Sequence, residues 1–250
     1  MSSYDAYAGG GETGGSSPLE WSHTVGGSWG KFLLVFVSWG GESGGVTGVT
    51  YNGVSLTYQW GQNPSPQDAA GAWIKQYVYY LKDPPAGSHT VSVAYSGSYE
   101  LYGTSISCHG VDLNDPFYAT ASAWDQDGVS INPVGLTGQI RVAFASTWRL
   151  LSNGPSGGTW TLRDDSNNTP SSVDTHSATD TAVNGSVSWS HAWWQNYSLG
   201  CWGCALRTGV PPAGGSWWFY SNKFKQFMDE LKAGLLPPEQ LRNKYREVWI

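Results

Sequence analysis

Cys201-Trp-Gly-Cys204 is the spacing in this chain closest to a chemical motif. C-x-x-C serves redox exchange or zinc, and the redox use needs a helix N-terminus to lower the thiol pKa. Here the motif lies in a strand-like segment, where residues i and i+3 point to opposite faces. Diverging sulfurs make neither a local disulfide nor a shared metal, and Cys108-His109 adds no second chelating pair. Buried structural thiols are the expected reading. The remaining alternative is a disulfide. Ile106 and Cys108 share a strand face, as do Trp202, Cys204 and Leu206, so Cys108 and Cys204 could pair if their strands are neighbours. Cys201 would then be left for an intermolecular bond.

Other chemistry-bearing residues are dispersed. Asp125-Gln-Asp127-Gly128 and Asp164-Asp165-Ser-Asn-Asn168 offer oxygen ligands, but neither follows an EF-hand loop, and solvated turns explain them. The histidines are His23, His89, His109, His176 and His191. No G-x-S-x-G elbow accompanies them, and the Gly-rich stretch 9–15 precedes no P-loop Lys-Ser/Thr. The expectation is therefore no enzyme and no cofactor or metal. Trp60, Trp73, Trp124, Trp148, Trp193 and Trp194 fall in loop-like stretches, where exposed rings could stack on sugars. The competing reading is packing and subunit contact, where large aromatics dominate burial.

The frame that must position these residues is β-rich. The chain has 250 residues with 15 Trp, 14 Tyr and 7 Phe, a composition suited to half-buried pleated surfaces. A net charge of −6 with 13 Lys/Arg argues against nucleic acid, which requires a basic footprint. No run of eighteen apolar residues predicts a membrane span. The first residues lack a basic segment followed by an apolar run, so no secretory signal is expected.

Residues 1–17, with AGGGETGGSS at 8–17, read as a flexible leader. Residues 31–39 (KFLLVFVSW) are apolar enough for a strand buried on both faces. Residues 46–56 alternate around Asn52-Gly53, a strong hairpin signal. Further strands are expected at 72–81, 89–95, 101–110, 139–147, 158–163, 186–194 and 198–207. Many short strands separated by Gly/Pro/Asn turns predict one β-sandwich or barrel over residues 18–209. A weak echo links Val93-Ala-Tyr-Ser and the run from Tyr99 to Val187-Ser-Trp-Ser and the run from Tyr197. It is read as two hairpins drawn from a restricted alphabet, with true duplication the minority view.

The end of the chain differs in kind. Residues 1–220 hold 7 Lys/Arg and 15 Asp/Glu, whereas residues 221–250 hold 6 and 4. Residues 210–220 read as a linker. Two amphipathic helices then follow. The apolar face of the first is Phe224, Phe227, Met228 and Leu231; that of the second is Leu241, Tyr245, Val248 and Trp249. Too short to fold alone, they are expected to anchor the chain to a partner or to its own body.

The segments Trp21-Ser-His-Thr, Leu33-Leu-Val-Phe-Val and Val49-Thr-Tyr-Asn-Gly-Val-Ser-Leu56 resemble a recurring β-sandwich domain of tailed-phage structural proteins and bacterial surface proteins. So do residues 80–93, with Pro-Pro-Ala-Gly-Ser-His-Thr-Val, and Cys108-His-Gly-Val-Asp-Leu-Asn-Asp-Pro116. The resemblance covers about three quarters of the chain and carries no catalytic residue. It implies a jelly-roll-like or Ig-like antiparallel sandwich, to which the C-terminal two-helix extension is an addition. It also implies a virion role: a capsid decoration, collar, spike or fibre protein. Such a protein is made in the host cytoplasm, contacts other virion proteins, and forms homo-oligomers, with a trimer favoured by analogy. The alternative is a carbohydrate-binding adhesin at an extracellular surface, with a host glycan as ligand.

Overall fold

The computed structural model describes residues 1–13, 17–27, 29–41, 43–62, 74–97, 100–125, 128–147, 151, 155–157, 159–165, 174–183, 185–190 and 199–211. The chain divides into two compact units, Met1–Gly209 and Val210–Ile250. Apart from Val210 and Pro211, the second unit lies outside the described residues. The two expected helices fall there. So do all eight positions of their apolar faces: Phe224, Phe227, Met228, Leu231, Leu241, Tyr245, Val248 and Trp249.

Among the described residues the fold is mainly β, built from antiparallel sheets. In chain order the strands are β1 (Ser3–Thr13), β2 (Leu19–Val25), β3 (Phe32–Gly40), β4 (Gly45–Tyr51), β5 (Val54–Ser55), β6 (Thr57–Gln62), β7 (Ile74–Lys82), β8 (Gly87–Ser96) and β9 (Glu100–His109). There follow β10 (Phe117–Asp125), β11 (Gly128–Ile131), β12 (Ile140–Thr147), β13 (Thr161–Asp165), β14 (Asp174–Asp180), β15 (Val187–Ser190) and β16 (Leu199–Leu206).

The sheets form a stack of four layers. Outermost is β2-β8-β4-β5, then β1-β9-β3-β7-β6, then β10-β16-β12-β14-β13, and last β11-β15. Three apolar cores fill the gaps. Leu33, Val35, Val37 and Trp39 of β3 meet Trp21, Val49, Tyr51, Val91 and Val93 of the first outer sheet. The other face of β3, with Phe32, Leu34 and Phe36, meets Ile140, Val142, Phe144, Trp202 and Cys204. Ala143, Ala145 and Cys201 meet Val129, Ile131, Val187 and Trp189. The unbroken apolar run of β3 is thus explained: it is buried along its whole length because it is covered on both faces.

Within the unit Met1–Gly209 the strand orders describe the same sandwich twice, back to back. The inner sheets have matching strand orders, β1-β9-β3-β7-β6 and β10-β16-β12-β14-β13, and β2-β8 corresponds to β11-β15. The isolated bridge Ser156↔Ser188 stands beside β15 where β4 stands beside β8. Register agrees as well. Phe36 lies opposite Val78 and Thr104, and Phe144 opposite Ser177 and Trp202. Both copies carry a bulge between Tyr4/Ala6 or Phe117/Ala119, and a second between Tyr58/Trp60 or Leu162/Asp164. In this register Leu101, opposite Trp39, corresponds to Leu199, opposite Thr147. That is the alignment of the sequence echo, so the echo coincides with the repeat in architecture. Two bulges at equivalent places are hard to obtain independently, because each re-aims a specific strand.

The glycine-rich start of the chain is not a flexible leader. It forms β1, paired along its length with β9. Its glycines make room for an aromatic ring. A Cβ on Gly10 would collide with the Trp21 indole, and one on Gly103 of the neighbouring strand would lie 2.6 Å from the same ring. Asn52-Gly53 does make the expected tight turn, with φ of 50° and 74°, the left-handed pair that a two-residue hairpin requires.

Candidate functional site

Two buried polar clusters bring chemistry-bearing side chains together among the described residues. The first lies between the two sheets of the first sandwich. Strand β2 alternates buried and exposed residues, so Trp21 and His23 both point inward, and Ser105 and Ser107 meet them from β9. The Ser105 Oγ receives the Trp21 Nε1–H at 2.9 Å and sits 2.8 Å from His23 Nδ1 and 3.1 Å from the Ala8 carbonyl. A single hydroxyl proton serves only one acceptor. If it goes to Ala8, His23 Nδ1–H donates to Ser105 and all these groups are satisfied. The opposite tautomer would bury a Nε2–H, and that atom has no partner. An unpaired buried donor costs about 1–3 kcal/mol, so hydrogen-bond accounting assigns the proton to Nδ1.

Asp5, the bulged residue of β1, accepts from the Gly26 amide at 2.7 Å and from Ser107 Oγ at 2.9 Å. Burial pushes His23 down to about 4, against the opposing pull of Asp5. Serine, histidine and aspartate thus gather here, but not as a hydrolytic relay. The histidine faces Ser105 through Nδ1, the carboxylate is engaged elsewhere, and Ser105 is fully buried. A nucleophile must accept activation and be reachable. The cluster instead pins the outer sheet to the inner one.

The second cluster belongs to the second sandwich. Arg141 and Asp180 are cross-strand partners on β12 and β14, at the position taken by Leu33 and Leu81 on β3 and β7. Both charged side chains are almost entirely buried and form an ion pair. The guanidinium also donates to the Gly185 carbonyl at 2.6 Å and lies 4.7 Å from the Trp160 ring centroid. Asp180 accepts from Thr159 at 2.6 Å and from the Ala182 amide at 3.0 Å. Burial opposes its charge, but Thr159, the Ala182 amide and Arg141 together hold the carboxyl below its ordinary range. The pair fastens the segments around residues 159, 182 and 185 to the end of the inner sheet. A lone Arg inside the apolar run QIRVAFAST was the available signal, since a buried cation demands a partner. The identity of that partner required the fold.

Cys108, Cys201 and Cys204 are all free and buried in this chain, with no Cys108–Cys204 bridge between them. Cys108 and Cys204 line the central core and Cys201 the outer core of the second sandwich. Burial pushes all three thiols up, Cys201 to about 12. Among the described residues no three His, Cys, Asp or Glu side chains gather as metal ligands.

Of the six tryptophans considered for sugar stacking, Trp73, Trp148, Trp193 and Trp194 lie outside the described residues. Trp60 and Trp124 are half-buried. Trp60 packs on the central core with its ring 6.4 Å from Trp202, and Trp124 covers Gly200. Among the described residues the exposed aromatic rings are Tyr58 and Tyr118. Tyr58 is 54 % exposed and meets Tyr79 edge-on at 5.5 Å. The bulge at Gln59 sends Tyr58 and Trp60 to opposite faces of β6, which a plain two-residue period would not foresee. The eight apolar positions of the tail, Phe224, Phe227, Met228, Leu231, Leu241, Tyr245, Val248 and Trp249, lie outside the described residues. No family model and no curated protein matches the chain.

Proposed function

We propose that this chain is a non-enzymatic structural component of a phage particle: a capsid decoration, collar, spike or fibre protein. It is made in the host cytoplasm and used on the virion. It docks to other virion proteins and to copies of itself through two apolar faces of its tail. One face is Phe224, Phe227, Met228 and Leu231; the other is Leu241, Tyr245, Val248 and Trp249. Each sandwich is read as jelly-roll-like or Ig-like. The observation that supports this reading most is the continuous core joining two equivalent sandwiches, which suits a stiff building block. The inward orientation of both polar clusters adds to it, since their hydrogen bonds are spent on holding sheets and loops together. The test is deletion of residues 221–250. The shortened chain is expected to stay folded and to stop incorporating into particles; normal incorporation would overturn the docking role.

A second reading, a carbohydrate-binding adhesin, is favoured by the exposed Tyr58 ring braced against Tyr79. Aromatic faces of this kind stack on sugars. It predicts glycan-array binding that Tyr58→Ala abolishes, and an array without signal would remove it.

A further inference from the structure

We propose that His23 is an acid-sensitive latch between the two sheets of the first sandwich: a proton arriving at its Nε2 creates a buried charge without an acceptor and loosens β2 from β8 and β9. His23 is 1 % exposed and stands at the middle of β2, directly opposite His89 of β8. Its Nδ1 is tied to Ser105 of the inner sheet, so the ring cannot turn without breaking the link between sheets. Its Nε2 has no partner and is a bare lone pair in the assigned tautomer.

The groups around it offer little to a new cation. From β1 comes Asp5, whose carboxylate already accepts from Gly26 and Ser107. From β4 comes Tyr51, edge-on to His23 at 6.4 Å, with its hydroxyl shared between the His23 and Gly87 carbonyls. From β8 comes His89, 5.5 Å from the Tyr51 ring and bonded to the Ala86 carbonyl. From β9 come the neutral Ser105 and Ser107, then His109 engaged with Ser3. Acid thus adds positive charge at His23 while, among the described residues, Asp5 is the carboxylate that acts on it.

The lowered value sets the sign of the effect. A histidine held at about 4 in the fold and at 6.5 when released contributes its full stability above 6.5. It loses that contribution as pH falls toward 4, because the released state takes up the proton first. Over that window the loss amounts to about two orders of magnitude in the opening equilibrium.

The experiment is amide hydrogen exchange on the full chain between pH 7 and pH 4, read as protection factors for wild type and His23→Asn. The asparagine amide can still donate to Ser105 but does not titrate. Wild-type protection in β2 and β8 is expected to fall about a hundredfold, more than in β12 and β16, while His23→Asn stays flat. Equal losses in both proteins, or no loss in wild type down to pH 4, would overturn the latch. Should the variant not fold, nitrogen NMR of the wild-type imidazole decides. A proton on Nδ1 at neutral pH, with titration in step with the loss of β2 protection, supports the proposal. A ring that titrates while β2 stays protected refutes it.

Discussion

Phe36 and Phe144 stack with ring centroids 4.8 Å apart and planes 18° from parallel, and they occupy the same slot in the central strands of the two sandwiches. A residue that stacks on its own structural equivalent marks where a pseudo-two-fold axis passes. Around it, Leu34 matches Val142 and Phe32 matches Ile140 by register, all six in one core. The two halves therefore meet as a symmetric dimer would, within one chain.

Truncating either phenylalanine should be costly. Both are fully buried, so Phe36→Ala or Phe144→Ala is expected to lose about 3–5 kcal/mol. Because the core is shared, the loss should appear as one transition for both sandwiches. Chemical denaturation followed by exchange in β3 and β12 checks this; independent unfolding of the halves would contradict a common core.

The glycines beneath Trp21 lead to a second expectation. Gly103→Ala puts a methyl 2.6 Å from the indole, below any ordinary contact, so the ring must shift against its hydrogen bond to Ser105. Overpacking of this kind costs about 1–3 kcal/mol. Pairing the change with Trp21→Leu should recover part of the loss, whereas a simple propensity effect would give additive losses. Thermal melts of the single and double variants distinguish the two.

These positions also show how far the sequence could be read. The strands with an apolar run or clean alternation, β3, β8 and β12, are visible because burial dictates each side chain. The Asn52-Gly53 turn is visible because backbone sterics dictate it. β1 is hidden because its glycines answer to a ring on another strand, and locally they look like a linker. β10 is hidden because it is an edge strand rich in Ala, Thr and Ser with alternate residues exposed. The repeat shows only as a faint echo, since Arg141 and Asp180 stand in one copy where Leu33 and Leu81 stand in the other. Topology survives such exchanges where sequence identity does not. Tyr58 and His23 were legible as residue types, but a bulge and a hydrogen-bond network decide their roles.

The thiols should be inert in the native state. All three are buried and pushed up by burial, Cys201 to about 12, so almost none is thiolate near neutral pH. A thiol reagent at pH 8 is expected to label none of the three until denaturant is added, and non-reducing electrophoresis should show monomer only. Fast labelling of one thiol in the folded protein would place it at the surface.

The Arg141–Asp180 pair offers the sharpest comparison, because the chain contains its own apolar counterpart. Removing one partner, as in Asp180→Ala, strands a buried guanidinium and should cost about 3–5 kcal/mol. Replacing both, with Arg141→Leu and Asp180→Leu, installs the pair that the first sandwich already uses at Leu33 and Leu81, and should recover most of that loss. The pH dependence separates the two variants further. Asp180 is held below its ordinary range, so its contribution is present above the unfolded carboxyl value and is lost as pH falls through the folded one. Wild type should therefore weaken on that acid limb, and the double-leucine chain should weaken less. If the double variant is as unstable as Asp180→Ala, then the hydrogen bonds to Thr159, Ala182 and Gly185, rather than the charge pair itself, hold that end of the second sandwich together.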